Sequence, residues 1–193
     1  EVELFGPLRL DVPRDARIRI EGPNGAGKST LLQALLGQAR VPLERVLYVP
    51  QDLSADEAEE VLESVRELPP TEKGRVLSLV AALGVDPDRL LATEQPSPGE
   101  ARKLLIARGL GQHAWALVLD EPTSAMDNTS EDLLRQRLHN WVQGKTLILI
   151  THRASMLSLV DRLTVLDSGK VVADGPKEAV IEALRKGRIG PAS

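Results

Sequence analysis

The chain has 193 residues, 42% hydrophobic and 27% charged, which suits a single domain (1–193) with a core of its own, and its net charge of −4 gives no general cause to expect nucleic-acid or lipid binding. The absence of cysteine excludes disulfides and thiolate metal sites and is in keeping with a cytoplasmic protein. No apolar run reaches the roughly 18 residues that span a bilayer, and the N-terminus has no signal-peptide pattern; with no methionine at Glu1, we expect a boundary within a longer chain and, for any membrane role, a peripheral subunit or an excised domain.

Two short strands open the chain, Leu8–Val12 and Arg17–Glu21, joined by a Pro-Arg-Asp turn. The second alternates apolar and charged residues in the manner of a half-buried strand. It runs directly into GPNGAGKST at 22–30, after which Leu31, Leu32, Leu35 and Leu36 recur at helical spacing. The spacing from Gly22 to Gly27, followed by Lys28 and Ser29, fits a phosphate-cradling loop G-x-x-x-x-G-K-[ST] with a strand before it and a helix after. Its glycines let backbone N–H groups converge on phosphate oxygens, and the N-terminus of the following helix adds a positive dipole end. Lys28 would reach the β- and γ-phosphates as a mobile point charge, and Ser29 would ligate Mg²⁺. Gly22, Asn24, Gly25, Gly27, Lys28, Ser29 and Thr30 are the candidate nucleotide-binding residues, against the plainer alternative of a glycine-rich turn with a surface lysine.

RVLYV at 45–49 is expected as a further strand ending at Pro50. The texture then turns helical. DEAEEVLESVREL, EKGRVLSLVAALG and DPDRLLA carry helical spacing between Pro and Gly breakers, which predicts a small helical insertion from Asp52 to Glu94. A helix EARKLLIARGLGQ follows Pro98-Gly99, so the helical subdomain extends over 52–112. ALVLD at 116–120 and TLILI at 146–150 are continuous apolar runs of the kind found in parallel strands buried on both faces. RLTVLD and KVVADG, with Ser168-Gly169 between them, predict a late hairpin. The expected class is α/β: a mostly parallel sheet flanked by helices, with an N-terminal antiparallel β portion and a small helical subdomain.

Chemistry concentrates at the ends of these strands. Asp120 closes an apolar strand at the sheet edge where α/β ligands bind, placed to hold Mg²⁺ directly or through water. Glu121, one residue on, can orient or deprotonate a water attacking a γ-phosphate. Gln51 after RVLYV, His152 after TLILI and Asp127 beyond Asp120-Glu121 repeat the placement. A polar residue after a strand is by itself most often a cap or a solvated loop residue; here the order and spacing of the set carry more.

With these motifs together, the chain resembles over nearly its whole length the nucleotide-binding domain of the ABC ATPase superfamily. GPNGAGKST resembles the Walker A loop, Gln51 the Q-loop, Ala116–Asp120 with Glu121 the Walker B strand and catalytic glutamate, SAMD at 124–127 the D-loop, and His152 the switch histidine. The resemblance implies a P-loop ATPase with Mg-ATP on Lys28, Ser29 and Asp120, Gln51 sensing the metal, Glu121 polarising water and His152 holding the γ-phosphate. It also implies a head-to-tail dimer, with a second copy or a related ATPase domain, in which Ser97 and Gly99 of one chain meet the γ-phosphate on the other. A transmembrane domain on another chain, or removed from this one, would place the protein at the inner face of a membrane.

The signature segment departs from the family pattern. Where LSGGQ is usual, this sequence reads PSPGE at 96–100: Ser97 and Gly99 are retained, Pro98 removes an N–H donor, and Glu100 sets a carboxylate beside a triphosphate. Arg102, Lys103 and the dipole of their helix are the expected compensation. A substituted signature also suits a binding module that closes on ATP with little turnover. Phe5 is the aromatic candidate for stacking on adenine, with packing under the first sheet as its plainer role, and Trp115, Trp141 and Tyr48 are expected in the core or at interfaces. The first two-thirds of the chain resembles the soluble ABC-F branch that acts on ribosomes, and the last third the ATPase domain of type I secretion exporters. A recombined chain or a divergent exporter domain would each read this way. A small-molecule kinase would share the phosphate loop but gives no account of the ordered loops after Gln51, Asp120 and His152.

Overall fold

The computed structural model describes residues 10–112, 114–124 and 126–187. Its strands are β1 (Arg17–Glu21), β2 (Val46–Val49), β3 (Ala116–Asp120), β4 (Thr146–Ile150), β5 (Arg162–Asp167) and β6 (Lys170–Pro176). They form one sheet in the order β2-β3-β4-β1-β5-β6, the first five parallel and β6 antiparallel to β5. The apolar runs of β3 and β4 are buried on both faces, as continuous β-branched and leucine runs require. On one face Ile18, Ile20, Val118, Ile148 and Ile150 pack against Leu31 and Leu32 of α1 (Lys28–Gly37). On the other, Leu117, Leu119, Leu147 and Leu149 meet α5 (Pro98–Gly111) and α6 (Asn128–Trp141) through Ile106, Leu110, Leu134 and Leu138.

The half-buried reading of β1 needs correction. The strand lies between β4 and β5, and Arg19, although in the charged half of the alternation, is only 5% exposed, with its guanidinium 3.5 Å from Glu21. The expected strand Leu8–Val12 falls partly outside the described residues, as does Phe5; its described part, 10–12, is irregular. Antiparallel pairing among the described residues comes from β5 and β6, whose turn Ser168-Gly169 takes φ of 47° and 73°, the positive pair that a tight hairpin asks for. The helix α7 (Lys177–Arg185) then covers Leu163 and Val165 with Val180.

Between β2 and β3 stand α2 (Ala55–Arg66), α3 (Pro70–Ala82) and α4 (Pro87–Ala92). Ser54 and Glu57 cap α2 reciprocally, Asp86 caps α4, and Pro70 and Pro87 start their helices where a missing N–H costs nothing. Val61, Leu62, Val76, Val80 and Leu90 form a second core with Leu104 and Ala107 of α5, so α5 belongs to both cores. At Gly109 a Cβ would lie 2.3 Å from the Leu47 side chain, and its absence lets α5 approach β2. No described helix is long and apolar enough to cross a membrane.

Candidate nucleotide site

Register brings the strand ends to one edge. Asp120, Ile150 and Ile20 lie in one row across β3, β4 and β1, so the loops that follow them open side by side. The glycine-rich loop leaves β1 at Gly22, where a Cβ would stand 2.1 Å from the Leu166 carbonyl oxygen; only glycine fits. Gly25 and Gly27 take φ of 80° and 91°, the left-handed region. Gly169 of the β5–β6 turn braces the loop by donating its N–H to Ala26 O at 3.2 Å. The helix α1 starts behind Gly27 with no side-chain cap and no acidic residue in its first turn, which leaves its first N–H groups to an anion. Lys28 Nζ is folded onto the carbonyl oxygens of Gly22 (2.8 Å) and Pro23 (3.0 Å), a cation stored inside the loop. Asn24 is exposed at the loop tip, and Ser29 and Thr30 lie in the first turn of α1. Bare helix terminus and stored cation together fit a triphosphate.

Asp120 is 2% exposed at the end of β3. The next residue, Glu121, has φ of 46°, an uncommon state for a non-glycine residue and one that accumulates at functional sites. Its N–H is held by Ile150 O at 2.9 Å, and the turn aims the carboxylate at His152. His152 N–H reaches Glu121 Oε2 at 3.4 Å, while Nε2 stands 3.3 Å from Oε1. That Oε1 is buried and has no aligned donor among the described residues, which leaves a lone pair for a water. Burial, then the nearby charges of Asp120 and Glu57, raise the Tyr48 phenol above its ordinary pKa. No described group of three or more His, Cys, Asp or Glu residues could hold a metal ion. Ser29 and Asp120 instead suit an ion that keeps water and phosphate oxygens in its shell.

Gln51 has an exposed side chain, but its carbonyl oxygen accepts from Arg102, which also donates to Ser124 Oγ at 3.0 Å. Arg102 is 3% exposed, and burial lowers its pKa against the opposing charge of Asp52. Lys103, also buried, donates to Ser130 Oγ at 2.8 Å. Both basic residues are therefore engaged elsewhere, and the expectation that they offset Glu100 is corrected: Arg89 of α4 does so, by donating to Glu100 Oε1. PSPGE also runs further into the helix than expected, because α5 begins at Pro98 with Ser97 as its cap. Ser97 Oγ accepts from Glu100 N–H at 3.3 Å and donates its proton to Glu100 Oε2 at 2.7 Å, and Ser97 N–H reaches the same oxygen at 2.9 Å. The Ser97 hydroxyl, then its N–H and Arg89, hold the Glu100 carboxyl below the ordinary glutamate range against the opposing effect of burial. An open cavity of about 470 Å³ lies here, lined by Asp86, Arg89, Ser97, Gly99, Glu100 and Lys103.

Asp127 caps α6, accepting from Ser130 N–H and Oγ at 2.9 Å each, and these bonds keep its carboxyl below the ordinary aspartate range. Glu131, one turn into the helix, accepts from Ser155 Oγ and lies 3.3 Å from Arg153 Nε. Arg89 and Glu131 escaped the sequence analysis because each looks like an ordinary helix-surface charge. Of the two placements expected for Trp115, core or interface, the core is ruled out, since it is 56% exposed under the Arg45 guanidinium, whereas Trp141 packs on the main core and donates to Leu110 O at 3.2 Å.

The model of the ABC transporter family matches residues 5–124. The cobalt import ATP-binding protein CbiO of Rhodobacter capsulatus is 32% identical over 98% of this chain and 80% of its own length. The other curated relatives compared, a transmembrane transporter and several lipid A-core flippases, are longer, and the chain spans 14–34% of their length. Solved structures share the fold, two of which illustrate it. An ATP-binding subunit of an ABC transporter has TM-score 0.76 and 21% identity over 98% of this chain and 89% of that one. A dimeric ATP-binding cassette in a post-hydrolysis state, bound to ADP and Pi, has TM-score 0.72 and 21% identity over 90% of each chain.

Proposed function

The chain belongs to the ABC transporter family, as one of its ATPase domains, and from that premise we propose that two copies, or this chain and a related ATPase domain, close head to tail on ATP. The observation that carries the proposal is the pairing of Glu121 with His152 at the same sheet edge as an uncapped phosphate loop. ATP would lay its β- and γ-phosphates over the N-terminus of α1, among Gly22, Asn24, Gly25, Gly27, Ser29 and Thr30. Lys28 would exchange the carbonyl oxygens of Gly22 and Pro23 for phosphate oxygens. Glu121 would take a proton from water as the water oxygen bonds to Pγ and the bond to the β–γ bridging oxygen breaks, leaving ADP and phosphate. His152 would hold the γ-phosphate beside Glu121. Ser29, Asp120 and Gln51 would hold Mg²⁺, which when bound neutralises phosphate charge.

Ser97 and Gly99 of the second copy would complete the site, and two-fold symmetry would make two such sites at one interface. Residues 52–112 would act as the helical subdomain that carries this segment. A transmembrane domain on another chain, or on another part of a longer one, would dock the dimer at the inner face of a membrane, in line with the transporter relatives. The test is phosphate release across a range of protein concentrations, for wild type and Glu121→Gln. Wild-type turnover should rise more than linearly with concentration, and the substitution should lower it by about 10²- to 10⁴-fold while ATP still drives dimerisation in light scattering. Equal turnover in both, or strictly linear rates from a verified monomer, would contradict the proposal.

A further inference from the structure

We propose that Glu131 is a positioning residue that holds the switch histidine, His152, against Glu121; its kinetic consequence rests on the hydrolysis proposed above, its geometry does not. The Glu131 side chain is 8% exposed in the first turn of α6, and a buried carboxylate is costly unless it is paired. Both of its partners come from the segment just after His152. Arg153 Nε lies 3.3 Å from one oxygen, and Ser155 Oγ donates to the other.

The other bonds at the start of that segment are to its backbone. Buried Thr151 precedes it, His152 N–H reaches Glu121 Oε2 at 3.4 Å, Arg153 N–H bonds to Thr151 Oγ1 at 3.1 Å and Arg153 O accepts from Met156 N–H at 3.3 Å, while the 3₁₀ turn Ala154–Leu159 has no side-chain cap and its buried anchors, Met156 and Leu159, come further along. The His152 side chain is 61% exposed, and its described side-chain contact is the 3.3 Å approach to Glu121. A shift of about 1 Å in residues 152–155 away from Glu121 would break that approach. The same turn of α6 also faces the signature helix: Ser130 Oγ accepts from Lys103 Nζ of α5 at 2.8 Å and donates to Asp127 at 2.9 Å. One helical turn thus joins the helix behind Ser97 to the segment behind His152.

The experiment measures kcat and KM for ATP in wild type, Glu131→Ala, Glu131→Gln, His152→Ala and the Glu131→Ala/His152→Ala double variant. Glu131→Ala should lower kcat roughly ten- to a hundredfold with KM held within about twofold, and Glu131→Gln, which still accepts from Ser155, should fall between. In the His152→Ala background, Glu131→Ala should add no more than about twofold, because the group it positions is gone. Additive losses, or a loss carried by KM, would overturn the proposal. A second readout needs no turnover. The chain has three histidines, so the His152 imidazole signal can be assigned in nucleotide-free protein by its loss in His152→Ala. Glu131→Ala should move that signal and Glu131→Gln move it less; an unmoved signal at an unchanged melting temperature would overturn the proposal. A moved signal in a chain without wild-type turnover would sink the hydrolysis and leave the positioning role standing.

Discussion

Two helices offer their N-termini to the phosphates in this proposal, and they are finished in opposite ways. The helix α1 starts behind a left-handed Gly27 with no side-chain cap, its cation folded inside the loop. The helix α5 starts behind Ser97, whose hydroxyl proton is committed to Glu100, while Glu100 is further tied to Arg89. Every helix start leaves about four N–H groups without intrahelical partners; α1 leaves them for a ligand, whereas α5 satisfies part of its own set. The Ser54–Glu57 pair on α2 is built the same way, so the Ser97 end of α5 has the form of an ordinary structural cap. In the proposed mechanism the α1 terminus has only to let Lys28 leave its two carbonyl partners, whereas the Ser97 end must also loosen its own cap before it can meet a second copy's nucleotide.

Removing the cation of the ready site should have the largest effect. Lys28→Ala should weaken ATP binding by about ten- to a hundredfold, the ~1.5–3 kcal/mol of a charge-assisted bond, with the melting temperature of the nucleotide-free protein nearly unchanged. Unchanged ATP affinity would break the comparison at its first half. A smaller effect is expected at the other helix. In a Glu121→Gln background, Glu100→Gln should lower the ATP concentration for half-maximal dimerisation by a factor of about two to five, because Ser97 is freed from a charged acceptor. Arg89→Ala should raise it by a similar factor, and should do nothing once Glu100 is Gln. Equal midpoints in all variants would mean that Ser97 is not held back by Glu100.

The smallest effect lies in pH. Because the folded-state pKa of Glu100 is lowered, its cap contributes full stability above the unfolded value of about 4.3 and loses it as pH falls through the folded value. Thermal melts should therefore show a constant difference between wild type and Glu100→Gln from pH 6 to 9. Below about pH 4, wild type should lose stability more steeply; parallel acid limbs would show that the box adds nothing to α5.

Where residue type and short spacing carry the physics, sequence and structure agree. The turn at Gly22–Gly27, the carboxylates Asp120 and Glu121 and the two apolar strands are all where local pattern put them. Arg19 was misread because alternation reports which residues face each way, not whether a neighbour covers the second face; β4 and β5 on either side of β1 made the difference. Arg102 and Lys103 carried a signal that could have been used. Cations in the first turns of a helix oppose its dipole, so their presence asks for distant acceptors, which proved to be Gln51, Ser124 and Ser130.

By itself the sequence determined the glycine-rich loop, the order of the strand-end residues and the helix starts, because glycine's freedom at positive φ, the lone pairs of Ser and Asp, and the periods of strand and helix all act within a few residues. Tertiary structure alone decided which charge meets which. Arg102 reaches Gln51 across 51 positions, Glu131 reaches Ser155 across 24, and Glu121 reaches His152 across 31. Long polar side chains have many rotamers and no preferred partner along the chain, so pairing is settled only when the packed sheet and helices bring two of them together and burial makes leaving either unpaired too costly.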